Sequence, residues 1–219
     1  AIIKGEKLWT LFTSMFSHYF FFHLFVNMFS LFFLGMFVER LIGKKRFLIF
    51  YLVAGLFASV FSALLSGFFA LNPLLTRVLG DPSVYALGAS GALFGLVGIL
   101  AVLTPRVKVS FLAGPLIAFI VLAVLPSGGV YTIISTLVMI YLFGSLFFLM
   151  SFNPQYTRYA LPVNLEMWVL PFLAIVPLIV LSVFIDLPIG NMAHFGGLLA
   201  GLVYAYYLVT TYPKRSKMI

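Results

Sequence analysis

The stretch YALGASGALFGLVG, residues 85–98, opens a run that stays apolar as far as Thr104. Ser90 stands at its head, between Gly88 and Gly91. Alone, such a serine reads as a packing residue, because hydroxyls in apolar helices bond back to their own backbone and small residues let helices touch. Two further stretches shift the balance. In NMAHFGGLLAG, residues 191–201, His194 precedes Gly197 and Gly201 by three and seven residues, which puts all three on one helical face. Near the N-terminus, HYFFFHLFVN, residues 18–27, carries His18, His23 and Asn27. All three histidines of the chain sit in or beside apolar runs. An ionisable group is costly in hydrocarbon, so each marks a functional-site hypothesis.

Composition says where such runs belong. The 219 residues are 63% hydrophobic and only 8% charged, against about 25% charged in a soluble domain. A water-soluble globule is excluded. Period-two alternation does not recur along the chain, so the expected fold is all-α, a polytopic transmembrane helix bundle rather than a barrel. The absence of cysteine removes disulfides and thiolate metal sites. The net charge of +8 sits in short clusters between apolar runs, which reads as membrane topology and not as a nucleic-acid surface. The chain begins at Ala1 without a signal-peptide pattern, the expectation for a trimmed product.

Charged residues mark the breaks between about seven expected spans of roughly 20 apolar residues each. Residues 1–17, with Lys4, Glu6, Lys7 and Trp9, suit an outer interfacial loop. Span one runs from about His18 to Val38, before Glu39-Arg40 and Lys44-Lys45-Arg46. Span two covers Phe47 to about Phe69, followed by a loop with Asn72-Pro73, Arg77 and Asp81-Pro82. Span three carries Ser90 and ends at Thr104-Pro105-Arg106. Spans four and five divide at Pro126-Ser127-Gly128-Gly129. A polar loop with Asn153-Pro154, Arg158 and Glu166 leads to span six, Met167 to Ile185, and a turn with Asp186, Pro188 and Gly190 leads to span seven, which carries His194 and ends at Pro213-Lys214-Arg215. The whole reads as one domain, residues 1–219.

Alternation then puts Arg40, Lys44, Lys45, Arg46, Arg106, Lys108, Arg158, Lys214, Arg215 and Lys217 on one side. These are ten of the thirteen basic residues, so that side is cytoplasmic. Spans one, three and seven run from outside to inside, and His23, Ser90 and His194 each fall about one to one and a half turns below their outer ends. Three polar stretches can therefore meet at one depth.

A serine hydroxyl is a poor nucleophile until a base takes its proton. His194 is the candidate base for Ser90, with Gly91, Gly95, Gly98, Gly197 and Gly201 allowing the helices to approach. Attack on an amide carbonyl makes an oxyanion that needs preorganised donors. His23 and Asn27, four residues apart on one face, and the Ser90 N–H are candidates. No acid lies within an apolar run, so a Ser-His dyad is expected rather than a triad, in a hydrated cavity open to the exterior.

These residues, with Trp9, the Gly35-x-x-x-Glu39-Arg40 stretch, Gly88-x-Ser90-Gly91 and Ala193-His194-x-x-Gly197-x-x-x-Gly201, resemble the rhomboid intramembrane serine proteases in order and relative orientation. The resemblance implies Ser90 as nucleophile, His194 as base, His23 and Asn27 around the oxyanion, and cleavage of transmembrane protein substrates near the outer face without a cofactor. It implies a multi-pass protein of a prokaryotic cell membrane, with His18 matching a nearby family histidine. The chain departs from the family pattern where Thr10 follows Trp9 in place of arginine, and where Phe94 replaces a tyrosine that stacks on the base. One helix before span one is absent, and two extra helices, residues 109–150, stand between serine and histidine. Span six corresponds to the family's gating helix.

Other readings stand beside this one. His194 is also readable as a structural histidine, and Asn27 as an interhelical bond. Three histidines suggest a metal set, disfavoured by the lack of a nearby carboxylate and of a His-Glu-x-x-His spacing. A catalytically silent rhomboid-like protein that binds or escorts membrane proteins is the alternative function. A transporter is disfavoured because paired internal repeats are not evident.

Overall fold

The computed structural model describes residues 5–69, 71–80, 87–126, 128–150, 154–185 and 189–212. Lys4, Asp81, Pro82, Ser127, Asn153, Asp186, Pro188 and the basic residues after Tyr212 lie outside these ranges. Two compact units form, one from Ala1–Arg106 with Met167–Ile219, the other from Val107–Glu166.

In the first unit the helices are α1 (Phe21–Ile42), α2 (Lys44–Phe68), α3 (Pro73–Leu79) and α4 (Ser90–Leu103). After the second unit come α7 (Leu170–Phe184, entered through a 3-10 turn at Met167–Val169) and α8 (Asn191–Thr211). Among the described residues, four helical stretches, Phe21–Ile42, Lys44–Phe68, Met167–Phe184 and Asn191–Thr211, are long and apolar enough to cross a membrane. Ser90–Leu103 and Ala113–Val124 are shorter apolar helices, of 14 and 12 residues. For α4, 14 residues rise only about 21 Å.

The shortness of α4 begins at its N-terminus. Gly88 has φ +115°, which no helix accommodates, so Ser90 is the first helical residue instead of lying a turn or more inside. Its companions enclose it. Leu96, Ile99 and Leu100 are fully buried, as expected of a helix that is apolar on every side.

On one side α8 comes within backbone contact of α4. A Cβ on Gly197 would strike the Gly91 carbonyl, and one on Gly201 would strike the Gly95 carbonyl. A Cβ on Gly98 would lie 2.7 Å from the Leu198 oxygen. On another side, Ala58 and Ala54 of α2 would come within 2.8 Å and 3.1 Å of Cβ atoms added to Gly91 and Gly95. In hydrocarbon no hydrophobic effect drives helices together, so close packing of small residues must do it.

Within α1, Leu31–Gly35 form a π turn. Ahead of it, Thr10–Thr13 and Ser14–Phe16 make short turns whose Met15 is buried between helices. A Cβ on Gly55 would lie 2.5 Å from Met15 Cε, so α2 is notched to receive it. The short α3 is capped by Asn72, whose Oδ1 accepts from the N–H groups of Leu74 and Leu75 at 3.0 and 3.1 Å. Pro177 interrupts the hydrogen-bond ladder of α7. The chain leaves this unit after Arg106 and re-enters at Met167, where the Trp168 N–H donates to the Pro105 carbonyl at 3.3 Å.

The second unit corrects the all-helical expectation. Strands β1 (Lys108–Leu112) and β2 (Pro162–Glu166) pair antiparallel, with Lys108 opposite Glu166 and Leu112 opposite Pro162. KVSFL and PVNLE each alternate polar with apolar residues over most of their length, the pattern of a strand. Between them lie α5 (Ala113–Val124) and α6 (Val130–Met150). The Tyr141 hydroxyl donates to the Tyr159 carbonyl at 2.9 Å beside Gly114.

Replacing Gly201 by alanine forces a methyl into the Gly95 carbonyl. The expected loss is about 1–3 kcal/mol of stability, read by reversible unfolding in mixed detergent micelles. A Gly201→Ala protein as stable as wild type would show that the two backbones separate without penalty.

Candidate active site

Ser90 Oγ and His194 Nε2 lie 2.8 Å apart and are hydrogen-bonded across 104 residues of sequence. The α4–α8 backbone contact sets that distance. Gly91 follows Ser90 by one residue and abuts Gly197, three residues after His194. The imidazole is buried, and the Phe94 ring stacks on it with centroids 4.3 Å apart and planes 12° apart. Phe94 is one turn beyond Ser90 on α4, so one helix supplies both the hydroxyl and the platform that holds the ring plane. His194 Nδ1 is buried and has no partner among the described residues.

As first residue of α4, Ser90 has a backbone N–H that the helix itself does not use. The loop that delivers it is clamped. The Gly88 N–H donates to the Ser14 carbonyl at 2.9 Å, and Met15 beside it is locked into the Gly55 notch. His23 and Asn27 of α1 press on the same glycine. A Cβ there would lie 2.7 Å from His23 Nε2 and 3.1 Å from Asn27 Nδ2. The side chains expected around an oxyanion thus reach the residue two before the serine.

Asn27 is buried, and its Nδ2 has no partner among the described residues. His18 packs edge-on against His23, with ring centroids 5.1 Å apart. Its Nε2 is likewise buried without a partner among them. Ser90, His194, His23, Asn27, His18, Gly88, Gly91, Phe94, Gly197 and Gly201 are therefore all brought to one end of the first unit. No three His, Cys, Asp or Glu side chains converge among the described residues.

Two participants escape a reading of the sequence. Ser14 holds Gly88 through a main-chain carbonyl, which side-chain identity cannot reveal. Asn191 looks like a helix-start residue, and its amide instead reaches two other helices.

The chain has relatives among known proteins. The Rhomboid domain family matches residues 5–141 and 135–211. Rhomboid protease GluP of Bacillus subtilis (strain 168) is 36% identical over 100 residues, covering 46% of this chain and 17% of its own. RHOMBOID-like protein 1 of Arabidopsis thaliana is 31% identical over 99 residues, 45% of this chain and 22% of its own. Inactive RHOMBOID-like protein 8 of the same plant is 30% identical over 100 residues, 46% and 24% of the two chains. The chain spans less than a quarter of the length of each of these relatives. No solved structure matches it significantly.

Gly88→Ala tests the clamp, because alanine there is both sterically opposed by His23 and strained at φ +115°. The first unit should lose about 1–3 kcal/mol of stability, read by reversible unfolding in mixed detergent micelles. Wild-type stability in Gly88→Ala would show that the serine loop tolerates displacement.

Proposed function

The chain belongs to the rhomboid family, and on that premise we propose that it is an intramembrane serine protease using Ser90 as nucleophile and His194 as base. Family membership and four membrane-length apolar helices make it an integral membrane protein. The observation that carries the catalytic reading is the 2.8 Å contact between the Ser90 hydroxyl and His194 Nε2. That distance lies within the range a nucleophile–base pair needs.

In this reading Nε2 takes the hydroxyl proton as Oγ forms a bond to the peptide carbonyl carbon. The carbonyl oxygen gains the negative charge and receives hydrogen bonds from the Ser90 N–H, from Asn27 Nδ2 and from His23. The C–N bond then breaks, and His194 returns the proton to the departing amine. Water, deprotonated by the same imidazole, attacks the acyl carbon; the C–Oγ bond then breaks, His194 returns the proton to Ser90 Oγ, and the acid is released. Phe94 supports the imidazole throughout by stacking, without a hydroxyl to bond to a neighbour.

Substrates are transmembrane proteins cut near the outer face, and the host membrane is a prokaryotic cell membrane. The apolar helices α4, α5 and α6 complete seven crossings. The pair of helices within about residues 109–150 is an insertion between the serine and histidine helices, and α7 is the gate.

A serine-reactive fluorophosphonate distinguishes this enzyme from a silent binding protein. Wild type should take the label, and Ser90→Ala should not. Ser90→Ala and His194→Ala should each lower substrate turnover at least about a thousandfold while leaving the fold intact by circular dichroism. Labelling that persists in Ser90→Ala, or is absent from wild type, sinks the reading.

Asn27→Ala removes one oxyanion donor. It should reduce kcat by the equivalent of about 2.7–4 kcal/mol in a steady-state assay. An unchanged kcat would make Asn27 a packing residue only.

A further inference from the structure

Two buried polar side chains play no part in the chemistry above, and they are bonded to each other. Asn191 is 3% exposed and Ser182 is 1% exposed. Asn191 opens α8 and precedes His194 by three residues, so the two stand one above the other on a helical face. Its Nδ2 donates at 2.8 Å to the Val78 carbonyl near the end of α3 and at 2.8 Å to Ser182 Oγ of α7. A carboxamide NH2 has two hydrogens, and both are used. Ser182 donates its own hydrogen to the Leu178 carbonyl at 2.8 Å, which leaves its oxygen to accept from Asn191. The adjoining carbonyl of Leu79 receives a bond from Ser66 Oγ of α2 at 3.2 Å, so the end of α3 is capped by side chains from two helices. At the start of α8, the His194 N–H donates to the Gly190 carbonyl at 3.0 Å. The turn that bears the imidazole therefore closes at Gly190, the residue just before the anchored Asn191.

We propose that Asn191 is a positioning residue for His194. Its carboxamide ties the first turn of α8 to α3 and α7 together, and so fixes where the imidazole meets Ser90. The inference rests on the Ser90–His194 reading above. The glycine contacts hold α8 against α4 from Ala193, whose carbonyl would lie 3.4 Å from a Cβ on Gly91, inward. Asn191 lies outward of them, and its bonds restrain the start of the turn that carries His194. A displacement of about 1 Å would take Nε2 out of hydrogen-bond range of the hydroxyl. Ser182 acts at one further remove, by receiving one of the two bonds.

The test uses fluorophosphonate labelling of Ser90 and steady-state cleavage of a reporter transmembrane substrate. Both are measured per folded enzyme, below the melting temperature of every variant. Asn191→Ala should lower the labelling rate and kcat together, by about tenfold or more, with KM within about twofold. Ser182→Ala should lower them by a smaller factor, about threefold, and add nothing further in the Asn191→Ala background, where the bond between the two side chains is already lost. A merely structural role would lower the melting temperature but leave labelling per folded molecule at the wild-type rate, and that result overturns the proposal. Independent, multiplicative effects of the two changes overturn it as well. If Asn191→Ala does not fold, Ser182→Ala alone decides, and an unchanged labelling rate counts against the proposal. A wild-type protein that takes no label removes the Ser90–His194 reading itself, a failure distinct from any of these.

Discussion

Two carbonyl groups of the serine helix lie against two glycines of the histidine helix, and the first unit depends on that contact. Gly91 and Gly95 meet Gly197 and Gly201, a spacing of four residues on each side. Because both partners repeat once per turn, the helices mesh in a register that any larger side chain would break. Successive residues rise about 1.5 Å along a helix, so a slip of one residue would already separate Ser90 from His194. The same closeness that joins the helices therefore meters the distance between Ser90 and His194.

Around that contact the chain works as a set of restraints on one loop. Ser14 holds Gly88 by its main chain, Met15 keys the N-terminal turns into α2, and His23 and Asn27 fill the space a side chain at residue 88 would take. These pieces come from residues 14–27, from α2 and from residue 88, which are separate in sequence. Each is rigid only through the others, which is how a site made of a helix end and a loop attains fixed geometry in a protein of short connections.

What could be read from the sequence, and what could not, follows from how each feature announces itself. Histidine and asparagine in apolar runs stand out because hydrocarbon penalises them, and glycines at a spacing of four stand out by periodicity. Ser90, His194, His23 and Asn27 were legible on those grounds. The β1–β2 ribbon was not, since its two five-residue strands are separated by 49 residues and pair only in three dimensions. The start of α4 was placed too early because hydropathy is blind to the backbone at Gly88. Asn191 sits where a capping residue is ordinary, and nothing local betrays that its amide serves α3 and α7.

The π turn of α1 bears on how one helix serves two purposes. At about 100° per residue, His23, Asn27, Gly35, Val38 and Ile42 would fan over roughly 120° of an uninterrupted helix. The additional residue held by a π turn between Asn27 and Val38 narrows that fan to roughly 80°. The polar half of the helix and the half that packs against its neighbours thus share one azimuth. Leu31–Gly35 act as a phase corrector, so that the His23–Asn27 end can be dialled to Gly88 while the Val38–Ile42 end stays dialled to the bundle.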